Sequence, residues 1–419
     1  MDRVTGQRDV GFQSGVIRTG GVATVMLGFA IPLSTTLSGV LIATIIGCWL
    51  LSARWKAFPW STPAAKISLA WLSLLLFLAL SALYSKGSIE EIAQGFQKYH
   101  ELLLPLLLIP FLYQQPLLRQ KVHYAVLAAL LLTLLSSLAD FSGIIDVGGR
   151  FEHSIKSPIT HSLLMAVLAY WSLIKAFDSN TPRYGWLVVT LFSLVNIFAV
   201  VEGRTGYFVS LVLGLLFITQ RFGLKRILVI APLGVILFTV ALYSVPRLHE
   251  RITEMGEGVL AFSEYGTLYT AEMAKKSVDK HDFNSMAVRL EYLARSLKLA
   301  ASAPLFGSGV GAFKAGYREL AEPGSQLSSN PHNEFLMITI QLGITGLVLL
   351  ALVLWITYSE VRGRQDFPSR LQSGLLAAFV VNSMLNSTLL DHTEGYLFLF
   401  MWAVWLAGLE GGSGQEDAV

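Results

Sequence analysis

Apolar residues run along this chain in long, nearly unbroken blocks, separated by short polar connections, and the pattern breaks once, over Val245 to Asn330. Blocks such as Ile67 to Tyr84, Val122 to Leu138, Trp186 to Val201, Ile227 to Tyr243 and Gly343 to Tyr358 carry no charge. Each is long enough for a helix crossing a hydrocarbon core of roughly 30 Å. The blocks predict about twelve spans, near 21–35, 38–53, 66–84, 102–114, 120–140, 158–177, 183–201, 205–220, 225–244, 341–361, 370–390 and 395–411. The expected fold is therefore all-α and polytopic. It divides into a membrane part at 1–244, a polar outer segment at 245–330 and a second membrane part at 331–419 with a C-terminal tail.

Charge orients this arrangement. Alternate short connections hold sixteen Lys and Arg residues, from Arg3, Arg8 and Arg18 to Arg362, Arg364 and Arg370. The opposite ones hold five: Lys86, Lys98, Arg150, Lys156 and Arg204. Basic residues collect on the cytoplasmic side, so both termini are expected there and 245–330 outside. That segment's ten basic residues are balanced by ten acidic ones. A hydrophobic fraction of 53% against 14% charged residues excludes an ordinary soluble domain. The pI near 8.8 reflects basic residues spread by topology, not gathered in a patch, which argues against nucleic acid. Cys48, the one cysteine, excludes an intrachain disulfide or thiolate cluster. No short apolar run with a small-residue cleavage site precedes the first span, so no cleaved signal is expected.

Within the outer segment, Met286, Leu290, Leu293, Leu297 and Ala301 recur at helical spacing, with Glu291, Arg295 and Lys298 opposite. This describes an amphipathic helix, either lying on the bilayer or packed in a small outer domain.

Three residues stand out as candidates for chemistry. Arg204, in Glu202-Gly203-Arg204-Thr205-Gly206, lies between two apolar runs at the outer surface, where a charge is costly and a helix N-terminus with flanking glycines suits a phosphate. A snorkelling side chain or a pair with Glu202 is the bland alternative. Arg289 falls on the shoulder of the apolar stripe, either over the membrane-facing cavity or on a solvated face. His332, in Pro331-His332-Asn333-Glu334, meets the membrane boundary as a general base whose tautomer a carbonyl or carboxylate fixes, or else as a turn or cap residue. Arg150 is a second-rank ligand for a sugar or phosphate. Gly307-Ser308-Gly309-Val310-Gly311 looks like a phosphate loop but follows no strand, and a turn after Pro304 is the better reading. His153, His161, His332 and His392 lack metal-ligand spacing.

In this order the motifs resemble the O-antigen ligase superfamily, which includes O-antigen polymerases and some protein O-oligosaccharyltransferases. The shared pieces are Arg204-Thr205-Gly206 at a span start, an arginine-bearing helix with Arg289, Pro304 to Gly307, and His332-Asn333 followed by Gly343 and Gly346. Gly203 departs from the serine common in that position, leaving Thr205 as the nearest hydroxyl.

The resemblance implies a multispan, GT-C-like glycosyltransferase that is metal-independent, inverting and without cofactor. Its donor would be a glycan on undecaprenyl diphosphate, its acceptor a sugar hydroxyl of lipid A–core, and its place the bacterial inner membrane with a periplasmic site. His332, Arg204 and Arg289 would be catalytic, and Arg150, Thr205 and Asn333 would bind substrate. Polymerase or protein-glycosylating activity on the same donor is the near alternative. A secondary transporter is the distant one, and it predicts an inverted symmetry absent from the sequence.

Overall fold

The computed structural model describes residues 2–147, 151–178, 181, 183–201, 203–244, 246–279 and 282–409. Arg150, Glu202 and the glycine-rich tail lie outside the described residues. Apart from one isolated bridge between Phe151 and Ser154, the described chain is helical, as apolar runs in lipid must be to satisfy their own backbone groups. The helices are α1 Asp2–Ala30, α2 Thr35–Leu51, α3 Pro63–Ser81, α4 Ile89–Tyr99, α5 Leu104–Leu112, α6 Pro116–Phe141, α7 Pro158–Ala176, α8 Tyr184–Val195 and α9 Arg204–Phe222. There follow α10 Ile227–Ser244, α11 Pro246–Tyr265, α12 Tyr269–Lys275, α13 Ser285–Ser302, α14 Ala312–Leu320, α15 Glu334–Val361, α16 Phe367–Leu385 and α17 His392–Leu406.

Among the described residues, five helices are long and apolar enough to cross a membrane: α3 with its continuation to Tyr84, α6, α7, α9 and α15. Thr35–Leu51 and Tyr184–Val200 are shorter apolar helices. The expected fourth span is a 3-10 turn, His100–Leu103, followed by the nine-residue α5, which contains Pro105 and Pro110. At 1.5 Å per residue that piece falls short of the bilayer core.

Proline opens α3, α6, α7 and α16, where its missing N–H costs nothing. Ser157, Asn333 and Asp366 cap α7, α15 and α16 through their side-chain oxygens. Helix α7 runs through the middle of the bundle, packed by α8, α9 and α16. Trp71, Phe379 and Trp402 meet edge-on nearby at centroid distances of 5.2 to 6.3 Å.

The outer segment is a folded body and not a single helix on a surface. Tyr269, Val288, Tyr292, Phe313 and Tyr317 form its core, which continues onto Met337 and Ile340 of α15. The side of α13 that carries Glu291, Arg295 and Lys298 points inward at two of its three positions: Glu291 is 0% and Arg295 1% exposed. They pair at 2.9 Å, and Arg295 also donates to Ser325 Oγ and to the carbonyls of Thr267 and Leu320. Glu291 accepts from both the N–H and the hydroxyl of Thr270. Burial of this charge is tolerated because nearly every polar atom of the pair is engaged.

Two separate motifs turn out to be one joint. Helix α15 breaks at Gly343, whose φ of 65° and ψ of −162° leave the helical region. The freed N–H of Ile344 donates to Pro304 O at 2.8 Å, while the N–H groups of Ser308 and Gly309 donate to Ile340 O and Gln341 O. A Cβ on Gly343 would stand 2.3 Å from the Leu305 backbone, and one on Gly307 2.4 Å from that of Gln341. Only glycine fits either side. Gly309 and Gly311 press against Ser85 and Glu91 in the same way, so 307–311 is a packed connection with its amides spent on protein.

Candidate functional site

Arg204 is the first residue of α9, and its guanidinium reaches the outer segment. It donates to Glu254 Oε2 at 2.8 Å and to Ser285 Oγ at 3.0 Å. Arg251 shares the same Glu254 oxygen. Asn284, the N-cap of α13, donates to Glu254 O, so one residue of α11 links α9 to the start of α13. The partner is therefore Glu254, 50 residues away in sequence.

The glycines beside Arg204 have a packing role. A Cβ at Gly203 would meet Ser162 Oγ at 2.2 Å and Pro158 O at 2.3 Å, and one at Gly206 would meet Ser162 Cβ at 2.5 Å. Ser162 of α7 thus fills the volume that a serine at 203 would need, which accounts physically for the departure there. Thr205 is 2% exposed, and its hydroxyl accepts from Asn386 Nδ2 at 3.1 Å. It faces the bundle.

Arg289 lies one turn into α13, and no hydrogen-bond acceptor meets it among the described residues. Its neighbour is another cation: burial first, then Arg204, lowers its pKa from the ordinary guanidinium value. His332 sits beside it. Burial pushes the imidazole down to about 4, with Arg289 as the second cause, so the ring is neutral near pH 7. Three elements far apart in sequence, the start of α9, α13 and the approach to α15, therefore bring Arg204, Arg289 and His332 into one electrostatic group.

His332 occupies the left-handed region at φ 53°, unusual for a residue with a side chain. Its N–H donates to Asn330 Oδ1 at 2.8 Å, and its ring stacks on Tyr292 of α13 at 5.9 Å between centroids with planes 12° apart. Neither ring nitrogen has a hydrogen-bond partner among the described residues. Stacking, not the expected carbonyl or carboxylate, holds the imidazole. Both ends of the Asn333 amide are in use: Oδ1 caps α15 through Leu336 N, and Nδ2 donates to Met384 O.

Beneath the group lies a buried polar junction. Glu334 accepts from Tyr99 OH at 3.2 Å and Leu389 N at 2.9 Å, and Tyr99 OH in turn accepts from Gln341 Nε2. This ties α4, α15 and the turn before α17 directly under His332. The four histidines singled out by sequence have different partners: Asp140 for His153, Asn196 for His161, Tyr292 for His332 and Tyr396 for His392. Among the described residues no three His, Cys, Asp or Glu side chains gather as a metal site would require.

A group of two arginines and a neutral imidazole can bind a doubly charged anion and accept a proton beside it. Residues 187–351, which run from α8 into α15 and include all three, match the family model described as O-antigen ligase. A search among curated proteins found no match.

Proposed function

We propose, for a chain that belongs through residues 187–351 to the O-antigen ligase family, that it transfers a glycan from an undecaprenyl-diphosphate carrier to a sugar hydroxyl of lipid A–core. The family carries the coarser statement, a ligase or polymerase type of glycan transfer by a membrane protein. The finer one places the reaction at the periplasmic face of a bacterial inner membrane with both termini in the cytoplasm, on the strength of the charge asymmetry.

The acceptor oxygen attacks the anomeric carbon from the face opposite the carrier. A carbon–oxygen bond forms, the bond from the anomeric carbon to the diphosphate oxygen breaks, and the configuration inverts. Arg204 and Arg289 take the charge that develops on the leaving diphosphate, the part a divalent cation plays elsewhere. His332 takes the acceptor's proton. Glu254 satisfies Arg204 while no anion is bound, and the diphosphate replaces it. A bound diphosphate also offsets the Arg289 cation, raising the His332 pKa when a base is needed. Thr205 and Asn333 position α9 and α15, and the outer segment 245–330 covers the site between the two membrane parts.

The observation that carries this reading is the position of Arg289, a partly buried cation with no acceptor among the described residues, next to both Arg204 and His332. The test is the product made by purified protein from lipid-linked glycan when lipid A–core, glycan and protein acceptors are offered separately, with and without excess chelator. Lipid A–core product, insensitive to chelator, is expected. Product only on glycan or protein would move the chain to the polymerase or protein-glycosylating branch. His332→Ala is expected to slow transfer by about 10²–10⁴-fold with membrane insertion unchanged, and near-normal transfer would remove the general base.

A further inference from the structure

A second site lies at the end of the bundle remote from His332. There a cavity of about 570 Å³ opens between the starts of α6 and α16 and the ends of α7 and α17. Arg119, Lys175 and Arg364 supply its charge, and Trp171, Trp405 and Phe367 much of its wall. Arg119 is fixed by donating to the carbonyls of Leu112 and Ala407 at 3.1 and 3.2 Å, the last turns of α5 and α17. Lys175 Nζ stands 3.8 Å from the Phe367 ring centroid, with a loose contact to Asp178 at 3.7 Å. Arg364 spends its Nε on Glu360 O, and no partner among the described residues meets its terminal amino groups.

Asp366 is the acid in the lining, and its carboxylate is engaged in capping α16 through Ser369 N at 2.9 Å. Trp405 donates to Ser369 Oγ. Trp171 is different: it is 2% exposed, and its indole N–H has no partner among the described residues. The cavity therefore holds surplus positive charge. Leu127 and Val404 add an apolar side, and Tyr124 at the rim is 59% exposed, in the manner of an aromatic residue at a membrane interface.

We propose that this cavity binds the phosphate headgroup of an anionic membrane lipid, its acyl portion lying against the Leu127 and Val404 side. Basic pockets between helices at a membrane surface take such headgroups. The apolar side favours a lipid over a soluble phosphate. The orientation of the chain decides only which leaflet provides the lipid.

The test uses the full chain in detergent, stripped of lipid, with phosphatidylglycerol, phosphatidylcholine and glycerol phosphate added separately and retention read by native mass spectrometry. Phosphatidylglycerol should be retained over phosphatidylcholine, and glycerol phosphate should not displace it at equal concentration. Lys175→Gln and Arg364→Gln should each weaken retention about five-fold. Arg364 stands in the connection between α15 and α16, so its replacement keeps the helix packing and provides a fold-neutral arm. Equal retention by the wild type and the Arg364→Gln protein would overturn the site, and displacement by glycerol phosphate would overturn the lipid as its ligand.

Discussion

Arg289 and Arg295 stand on the same helix, about 9 Å apart along its axis, yet their surroundings are opposite. Arg295 is buried and surrounded by acceptors: a carboxylate, a hydroxyl and two carbonyls. Arg289 is partly buried with a second cation and an imidazole for company. The first arrangement engages both terminal nitrogens of the guanidinium without a ligand. The second has no acceptor among the described residues, and an anion from outside the chain would complete it. The difference separates a charge that holds α13 in place from one to which the proposed function gives the donor's diphosphate, although both residues read as arginines on one amphipathic helix.

Exchanging each arginine for alanine tests that division most severely. Arg295→Ala strands the Glu291 carboxylate in the core and should lower stability by about 3–5 kcal/mol, seen as an earlier thermal transition in detergent, with the surviving folded protein still active. Arg289→Ala should leave the transition nearly unmoved and reduce kcat by about 10²–10³-fold. The reverse pattern would exchange the two roles. A smaller effect comes from replacing the whole pair. Glu291→Leu together with Arg295→Met removes both charges and should recover most of the stability lost by Arg295→Ala; a double variant as unstable as the single one would show that the hydrogen bonds, not the charges, matter.

The subtlest effect is on pH. In the free protein the His332 pKa lies near 4, below the ordinary 6.5. The unfolded chain therefore takes up a proton first as pH falls. The stability contribution of neutral His332 is full above 6.5, declines between 6.5 and about 4, and levels off below. For catalysis, the acid limb of kcat/KM reports the free protein and that of kcat the loaded one. The kcat limb should lie at higher pH, because the bound diphosphate offsets Arg289. In Arg289→Gln the two limbs should draw together, and limbs that keep their separation would disconnect Arg289 from His332.

Much of this is legible in the sequence. Uninterrupted apolar runs mark their own helices, and a charge such as Arg204 at a span start is conspicuous because hydrocarbon tolerates so few. His332 and Pro304–Gly307 were found as motifs, without the joint that connects the latter to Gly343. Periodicity separates the two faces of α13 but does not say which faces inward, since a charged face is buried only when donors from Thr270 and acceptors from Leu320 and Ser325 converge on it. Glu254 escaped notice because contacts across 50 residues leave no local signature. The glycines around Arg204 suggested a ligand cradle, but the space above them belongs to Ser162.

The backbone of His332 carries one more consequence. A left-handed conformation costs a residue with a Cβ about 1–2 kcal/mol relative to glycine. An effort to make this protein hardier by relaxing strained positions would choose glycine at 332 early, and under the proposed mechanism the product would be a firmer membrane protein that no longer moves a proton. Engineering for robustness and engineering for turnover pull in opposite directions at that position.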